Sequence, residues 1–399
     1  MRLTLINQFY LPDLSPTAHL CASLAKHRAA RGDEVTVLTS RSGYIGAINA
    51  DAHAEAVNIK RLWSTRLGSR SRFNRLIDWG TFYLSTLISA LMLPRQDVII
   101  AMTTPPYIAW AAVLHKFLHR GTRIILWNMD CYPEAIERTG MAMPNGLIAR
   151  VMRAMNRAIF CQLDHLIVLD SAMDQLLSQY KPRDRQLTST VIPNWEDASS
   201  FPSEVPQAES SQPTALPSRG NFVILYLGNA GYGHEFQTLL EAAKNLRDDP
   251  IEFRFVGGGA KREWIRSECR ASGISNIVLE DYVPRDQVPQ VMRTASAALI
   301  TLENQMAGVM SPSKLHACLA MGLPVLYVGP PGSNVDEAIA RFDCGASLRP
   351  GQADDFVRVV RSWVAGAADF HRLSSNAKGA FQEAYCDIQT LPRFDAILD

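Results

Sequence analysis

The chain has 399 residues, 47% of them hydrophobic and 20% charged, and its 40 basic and 39 acidic side chains leave a net charge of +1. That length suits two domains of ordinary size or one large one, and the composition is that of a globular protein with ample core rather than a disordered chain. The balanced charge gives no ground for a nucleic-acid partner, and seven cysteines without a C-x-x-C pair read as reduced thiols rather than a disulfide framework or a zinc site.

In chain order, Leu3 to Asn7 is the first predicted strand, too short an apolar start for a signal peptide. A polar loop with Ser15, Pro16 and Thr17 follows, then a helix from Ala18 to Arg31 that carries His19 near its start and stops at Gly32. Val35 to Thr39 is a second strand, which completes an opening βαβ unit of nucleotide-binding type. Ile59 to Trp63 and Val98 to Met102 read as further strands, Tyr107 to Leu118 as a helix, and Arg123 to Trp127 as a fifth strand. Its carboxyl end runs into Asn128-Met-Asp-Cys-Tyr-Pro-Glu, the place where open α/β sheets put ligands. Leu147 to Phe160, His165 to Leu169 and Ala172 to Gln179 continue the helix–strand–helix alternation, and Val191 to Trp195 closes the half.

Residues 198–220 are rich in Ser and Pro and read as a linker or surface loop. The alternation then restarts at Phe222, with strands at Phe222 to Leu227, Phe253 to Val256, Ile277 to Leu279, Ala297 to Leu302 and Pro324 to Val328. The expected organisation is therefore α/β: a first Rossmann-like domain over 1–200, a linker or loop over 201–220, a second over 221–380, and a tail over 381–399 able to pack back on the first. Two such domains are expected to face each other across a cleft.

Two uncharged runs, Trp79 to Pro94 and Val98 to Leu114, are 16 and 17 residues long, short of the roughly 20 a membrane-spanning helix needs. The second contains Thr103-Thr104-Pro105-Pro106, which suits a strand ending in a loop. The first follows Arg70, Arg72 and Arg75 and carries Trp79, Phe82 and Tyr83. It reads either as a helix lying on an anionic membrane surface or as one packed on its own sheet.

Three glycine-bearing turns of the second half follow strands: Gly228-Asn229-Ala-Gly231, Gly257 to Gly259, and Gly308 leading into Ser313-Lys314. Each alone is only a turn; together they let a ligand approach the backbone closely. Ser311, Pro312 and Ser313 have start-of-helix chemistry, with Ser hydroxyls free to cap. There is neither a G-x-G-x-x-G with a following acid nor a Walker motif, which disfavours a dehydrogenase or an ATPase. Lys314 and Lys261 are either the cations that neutralise a diphosphate or solvated surface lysines. His234, inside the first glycine loop, is a candidate ligand contact. Asp130 and Glu134 are one helical turn apart if their segment is helical; they could orient a hydroxyl or take a proton, or serve as a cap and a surface charge. His19 reads as structural more readily than functional. The scattered histidines support no metal site.

These pieces together resemble glycosyltransferase family 4, of the bacterial capsule, exopolysaccharide or O-antigen type. The resemblance rests on Gly32-Asp-Glu-Val-Thr-Val-Leu-Thr, Trp127-Asn-Met-Asp-Cys-Tyr-Pro-Glu, Val191-Ile-Pro-Asn-Trp, Tyr226-Leu-Gly-Asn-Ala-Gly, Phe255-Val-Gly-Gly-Gly, Asp281-Tyr-Val-Pro and Pro312-Ser-Lys-Leu through Gly322-Leu-Pro-Val. It covers nearly the whole chain and implies the GT-B fold. The activity it implies is transfer of a sugar, with retention, from a nucleotide diphosphate sugar to a hydroxyl of a lipid-linked or oligosaccharide acceptor. That would take place without metal or cofactor, at the inner face of the cytoplasmic membrane.

Carried over residue by residue, Gly228, Asn229, Gly231, Gly258, Ser313 and Lys314 would cradle the donor diphosphate. Tyr282 and Val283 would wall its base, with His234 and Lys261 beside them. Asp130 and Glu134 would serve the acceptor, with Ser15, Thr17, His19 and Thr104 on the same side. In transition-state terms the resemblance gives the catalytic part to Asp130, Glu134 and Lys314. Two family features are absent: Ala317 stands where a ribose-holding Glu is usual, which leaves His316 or Glu337 to substitute, and Ser15-Pro16-Thr17 replaces the usual Gly-Gly. A nucleotide-sugar epimerase of the same fold, or a transferase turned inert binding subunit, are the alternatives.

Overall fold

The computed structural model describes residues 1–13, 15–43, 46–47, 56–65, 67, 72–201, 221–284 and 287–399. The expected linker beyond Phe201 and the basic residue Arg70 lie outside the described residues, as do the side chains of Arg72 and Arg75. The chain divides into two compact units. One holds Met1–Pro193, Gly308–Met310 and Leu391–Asp399; the other holds Asn194–Ala307 and Ser311–Thr390.

In the first unit the chain runs β1 (Arg2–Ile6), α1 (Pro16–Ala30), β2 (Glu34–Ser40), a two-residue antiparallel pair β3 (Ser42–Gly43) and β4 (Gly46–Ala47), then β5 (Val57–Leu62) and α2 (Arg72–Met92). It continues through β6 (Val98–Met102), α3 (Trp110–Leu118), β7 (Arg123–Trp127), α4 (Glu134–Arg138), α5 (Leu147–Phe160), β8 (His165–Val168), α6 (Ser171–Leu177) and β9 (Ser189–Val191). Seven strands form one parallel sheet in the order β5-β2-β1-β6-β7-β8-β9. The apolar run Val98–Met102 is buried along its whole length, as befits a central parallel strand covered on both faces. Right-handed crossovers place α2, α3 and α5 over one face of this sheet and α1 over the other.

Of the tail, Leu391–Asp399 belongs to this unit, while the residues up to Thr390 stay with the second. Arg28 near the end of α1 is buried and bonds Asp33, Asp395 and Asp399 at 2.6, 2.7 and 2.8 Å. Arg123 donates to the carbonyls of Ile397 and Leu398, and Phe394 packs edge-on against Trp127.

The second unit runs β10 (Phe222–Leu227), α7 (Gln237–Asn245), β11 (Ile251–Val256), α8 (Arg262–Ser272), β12 (Ile277–Glu280), α9 (Val288–Arg293), β13 (Ala297–Thr301), α10 (Lys314–Ala320), β14 (Val325–Val328), α11 (Asn334–Phe342), β15 (Gly345–Leu348), α12 (Ala353–Ala365), α13 (Ala367–Ala380) and α14 (Asp387–Leu398), the last shared with the first unit. Its six parallel strands take the order β12-β11-β10-β13-β14-β15. The core joins Phe222, Ile224 and Phe253 of the sheet to Phe356, Val360 and Trp363 of α12. Both units are thus parallel, doubly wound sheets, the two halves of a GT-B architecture.

Three expectations change. The segment from Tyr107 does not start a helix: Tyr107 has φ +66°, and α3 begins at Trp110. Asp130 and Glu134 share no helix, because α4 begins only at Glu134. Ser313 does occupy the N-cap of α10 but its side chain caps nothing, and the helix is only seven residues long. No helix among the described residues is long and apolar enough to cross a membrane.

Candidate active site

The first unit gathers its polar loops at the carboxyl ends of β1, β6 and β7. The amide of Gln8 donates to the Thr104 carbonyl at 2.8 Å, which ties the loop after β1 to the loop after β6. The Thr103 hydroxyl accepts the amides of Met129 and Asp130 at 2.9 and 3.2 Å, which ties β6 to the segment after β7. Thr103, the neighbour of the expected Thr104, is therefore the residue that fixes Asp130. Ser15 is buried and caps α1, its Oγ accepting from Ala18 N at 3.3 Å. Thr17 and His19 lie half-buried in the first turns of α1.

Asp130 lines a narrow cleft with Thr103, Tyr107, Asn128, Cys131 and Tyr132. Burial pushes its carboxyl up to about 6. Glu134 points elsewhere. It is buried, and its Oε1 accepts from Tyr180 Oη at 2.5 Å and from Gln179 at 3.4 Å. Its Oε2 is buried without a hydrogen-bond partner. The structure thus separates the two carboxylates: Asp130 lines the cleft, and Glu134 is engaged by Tyr180.

In the second unit the glycine turns after β10 and β11 lock onto each other. Ala230 N donates to the Gly258 carbonyl at 2.7 Å, and Lys261 N to the Ala230 carbonyl at 2.9 Å. Gly257 has φ +139°, and a Cβ there would lie 2.2 Å from the Gly228 oxygen. Only glycine allows so close a backbone crossing. A Cβ on Gly258 would meet the Tyr282 ring at 2.8 Å, so Tyr282, 63% exposed, lies over this turn with Val283 next to it. Gly228 and Gly258 line a small cleft with Tyr226 and Arg262. Asn229 is exposed and Gly231 half-buried on the same loop.

Beneath the turns lies an aromatic cluster. Tyr226 stacks on Phe255 at 5.1 Å and meets Phe236 and His234 edge-on at 5.1 and 5.8 Å. His234 Nδ1 bonds the Thr301 carbonyl at 2.7 Å, and burial, with Lys314 nearby, lowers its pKa to about 3. His234 is therefore a neutral imidazole with its proton on Nδ1.

The two lysines differ. Lys261 donates to the His234 carbonyl at 2.5 Å and to Glu303 Oε1 at 2.6 Å. Its charge is matched within the protein, by a carboxylate just after β13 that sequence reasoning passed over. The signal available was its place at a strand's carboxyl end. The Lys314 amine lies 3.7 Å above the Tyr226 ring centre, buried and without a hydrogen-bond partner. Burial lowers its pKa from 10.5 to about 7.

Ser313 beside it is exposed. Asn334, at the start of α11, donates to the Pro312 carbonyl at 3.3 Å, which brings α11 and its first-turn residue Glu337 to the loop before α10. His316 turns the other way. It packs on Tyr385 at 5.4 Å, its Nδ1 bonds the Ser313 carbonyl, and burial lowers its pKa to about 4. The stretch before α10 is divided: Cys131 N donates to the Val309 carbonyl at 3.1 Å, so Gly308–Met310 pack within the first unit while Ser311 onward belongs to the second. Among the described residues no group of three or more His, Cys, Asp or Glu is placed to hold a metal ion.

Comparison with known proteins agrees with this arrangement. Residues 17–195 match the model of the glycosyl transferase 4-like domain, and 208–380 that of glycosyl transferases group 1. The chain is 23% identical over 333 residues to the probable glycosyltransferase WbjE of Pseudomonas aeruginosa, covering 82% of each. It is 25% identical over 330 residues to the putative colanic acid biosynthesis glycosyl transferase WcaI of Escherichia coli K12, covering 78% of this chain and 79% of that one. The solved structure of Anabaena Alr3699/HepE in complex with UDP superposes with a TM-score of 0.67 at 14% identity, covering 100% of this chain and 99% of that one. With both halves of the chain matched in order and the GT-B architecture in place, the protein belongs to the glycosyltransferases, a 4-like domain followed by a group 1 domain.

Proposed function

We propose that this protein is a retaining transferase that moves a sugar from a nucleoside diphosphate sugar to a hydroxyl of a lipid-linked or oligosaccharide acceptor in cell-surface polysaccharide synthesis. The observation that carries the reading is Lys314: a buried, unpartnered amine above Tyr226, beside two interlocked glycine turns. The donor diphosphate binds over Gly228, Asn229, Gly231 and Gly258, with the base against Tyr282 and Val283. Glu337 is the remaining candidate for ribose, since Ala317 has no carboxylate and His316 faces Tyr385.

In the transfer the acceptor oxygen forms a bond to the anomeric carbon. The bond from that carbon to the diphosphate oxygen breaks, and the electron pair leaves with the diphosphate. The acceptor proton passes to the departing phosphate oxygen. Lys314 takes up a proton as the diphosphate arrives and stabilises the charge that develops on it. This reading routes no step through a metal. Asp130, in the first unit, orients the acceptor hydroxyl.

The enzyme works at the inner face of the membrane. Support comes from α2, which exposes Leu76, Leu84, Ile88 and Met92 and has no charged residue after Asp78. The colanic acid assignment of WcaI supports the polysaccharide context, and the UDP of the HepE structure supports a nucleotide donor.

The test is a panel of nucleoside diphosphate sugars with a lipid-linked acceptor, with and without chelator. Acceptor-dependent release of nucleoside diphosphate that survives the chelator is expected. A second reading, an inert nucleotide-sugar-binding subunit, is favoured by Ala317 and by Ser15-Pro16-Thr17 in place of the usual Gly-Gly, and predicts tight nucleotide binding with no release under every pairing.

A further inference from the structure

The connection from β7 to α5 starts with polar residues around Asp130 and ends in an exposed apolar surface. From Met141 to Phe160 the sequence holds three arginines and no acidic residue. In α5 the buried residues are Ala149, Asn156, Ile159 and Phe160. At 100° per residue they share one side of the helix. Leu147, Val151, Ala154 and Ala158 share the opposite side with Ile148 at its margin, and all five are exposed. Leu147 is 79% exposed, Ile148 65% and Val151 51%, and Met143 in the loop before them is 82% exposed. Arg150 and Arg157, both exposed, fall along one edge of this stripe. The helix therefore shows water an apolar face, which a soluble surface helix reserves for its core.

The patch is held in shape rather than left loose. Glu137 of α4 binds Arg153 of α5 at 2.5 Å and accepts the Asn145 amide at 2.7 Å. Asn156 of α5 reaches back to the Tyr132 carbonyl at 2.6 Å. These bonds fix the Met141–Gly146 loop and the body of α5 to the segment that carries Asp130.

We propose that this surface docks on an anionic lipid bilayer, with Met143, Leu147 and Ile148 among the acyl chains and Arg150 and Arg157 on headgroup phosphates. A large apolar stripe edged by guanidinium groups, with no carboxylate within it, matches the boundary between hydrocarbon and anionic headgroups. The inference rests on the reading of a lipid-linked acceptor, and it gives that reading a geometry: the residues that would meet the acceptor hydroxyl and those that meet the membrane lie on one braced connection.

The experiment is sedimentation of the full-length protein with vesicles of phosphatidylcholine containing about one-third phosphatidylglycerol. The variants are Met143→Ser/Leu147→Ser/Ile148→Ser, Arg150→Gln/Arg157→Gln, and Leu84→Ser/Ile88→Ser on α2. All substituted side chains are solvent-exposed, and an unchanged melting temperature verifies each fold. The account expects the triple variant to lose tenfold or more of vesicle binding, with the arginine variant losing binding only on anionic vesicles. It is overturned if the wild-type protein ignores anionic vesicles, if the triple variant binds as well as wild type, or if wild type is a stable dimer that the triple variant makes monomeric. Transfer to a water-soluble short-chain acceptor is measured alongside. Failure of that transfer with vesicle binding intact counts against the transferase reading, and failure of vesicle binding with transfer intact counts against this inference alone.

Discussion

Replacing Lys314 with Met should make the protein more stable and nearly inactive. The amine is charged at neutral pH in solution but is buried here, with a pKa lowered from 10.5 to about 7. A lowering of that size corresponds to about 5 kcal/mol against keeping the charge in the folded state. The unfolded chain binds the proton more tightly than the native one between pH 7 and pH 10.5, so stability rises with pH across that window and the full penalty applies below pH 7. Methionine fills the same space without the charge. It forfeits the contact over Tyr226, worth about 1–2 kcal/mol, which leaves a net gain of about 3 kcal/mol. For a unit of this size that is roughly 6–12 °C in melting temperature near neutral pH, and the gain should shrink as the pH is raised to 10. Turnover should fall by about 10²–10³, the usual effect of removing one group that stabilises a developing anion. Calorimetry adds a third readout. At pH 8, binding of a nucleoside diphosphate to wild type should take up close to one proton, seen as a dependence of the heat on buffer ionisation, and the variant should take up none. A variant with unchanged melting temperature, turnover and proton uptake would refute the assignment of Lys314 to the diphosphate.

Other predictions concern the neighbours of that amine and the first unit. Gly257→Ala forces a Cβ to within 2.2 Å of the Gly228 oxygen; unfolding in urea should show a loss of about 3 kcal/mol together with weakened nucleotide binding. Glu303→Gln removes the carboxylate from Lys261 in a partly exposed pair, costs about 1 kcal/mol in stability, and frees a cation beside the glycine turns. Titration should then show several-fold tighter binding of a nucleoside diphosphate, and unchanged affinity would mean that Lys261 does not face the donor. If the Asp130 carboxylate orients the acceptor, transfer falls as the pH drops through about 6, and Asp130→Asn loses that limb of the pH–rate profile. Glu134→Gln keeps activity but loses stability by about 1–2 kcal/mol, because it replaces the charged acceptor of the Tyr180 hydrogen bond.

The parallel alternation was legible in the sequence because buried central strands such as Val98–Met102 and Ala297–Thr301 are unbroken apolar runs. Helix ends at Gly32 and Gly322 were legible because both take positive φ. The glycine turns could be found, but not that they interlock, since the close contact of Gly257 with Gly228 depends on strand pairing across 29 residues. Side-chain partnerships were harder still. Lys261 and Lys314 look alike in sequence, yet one meets Glu303 and the other an aromatic ring. The pairing of Thr103 with the Asp130 amide and the grouping of Gly308–Met310 with the first unit come from contacts 27 or more residues apart. Periodicity identified α5 as a helix, but it could not tell which of two apolar faces is covered by protein.

The most direct test of the central claim is the structure of the product. The protein is incubated with each of a set of nucleoside diphosphate sugars and a lipid-linked acceptor, and the anomeric configuration of any new glycosidic linkage is read by NMR. The account predicts one new linkage with the configuration of the donor, formed with one nucleoside diphosphate released per sugar transferred. An inverted linkage contradicts the retaining mechanism, and sugar interconversion without acceptor, or tight nucleotide binding with no product from any pairing, contradicts the transferase itself.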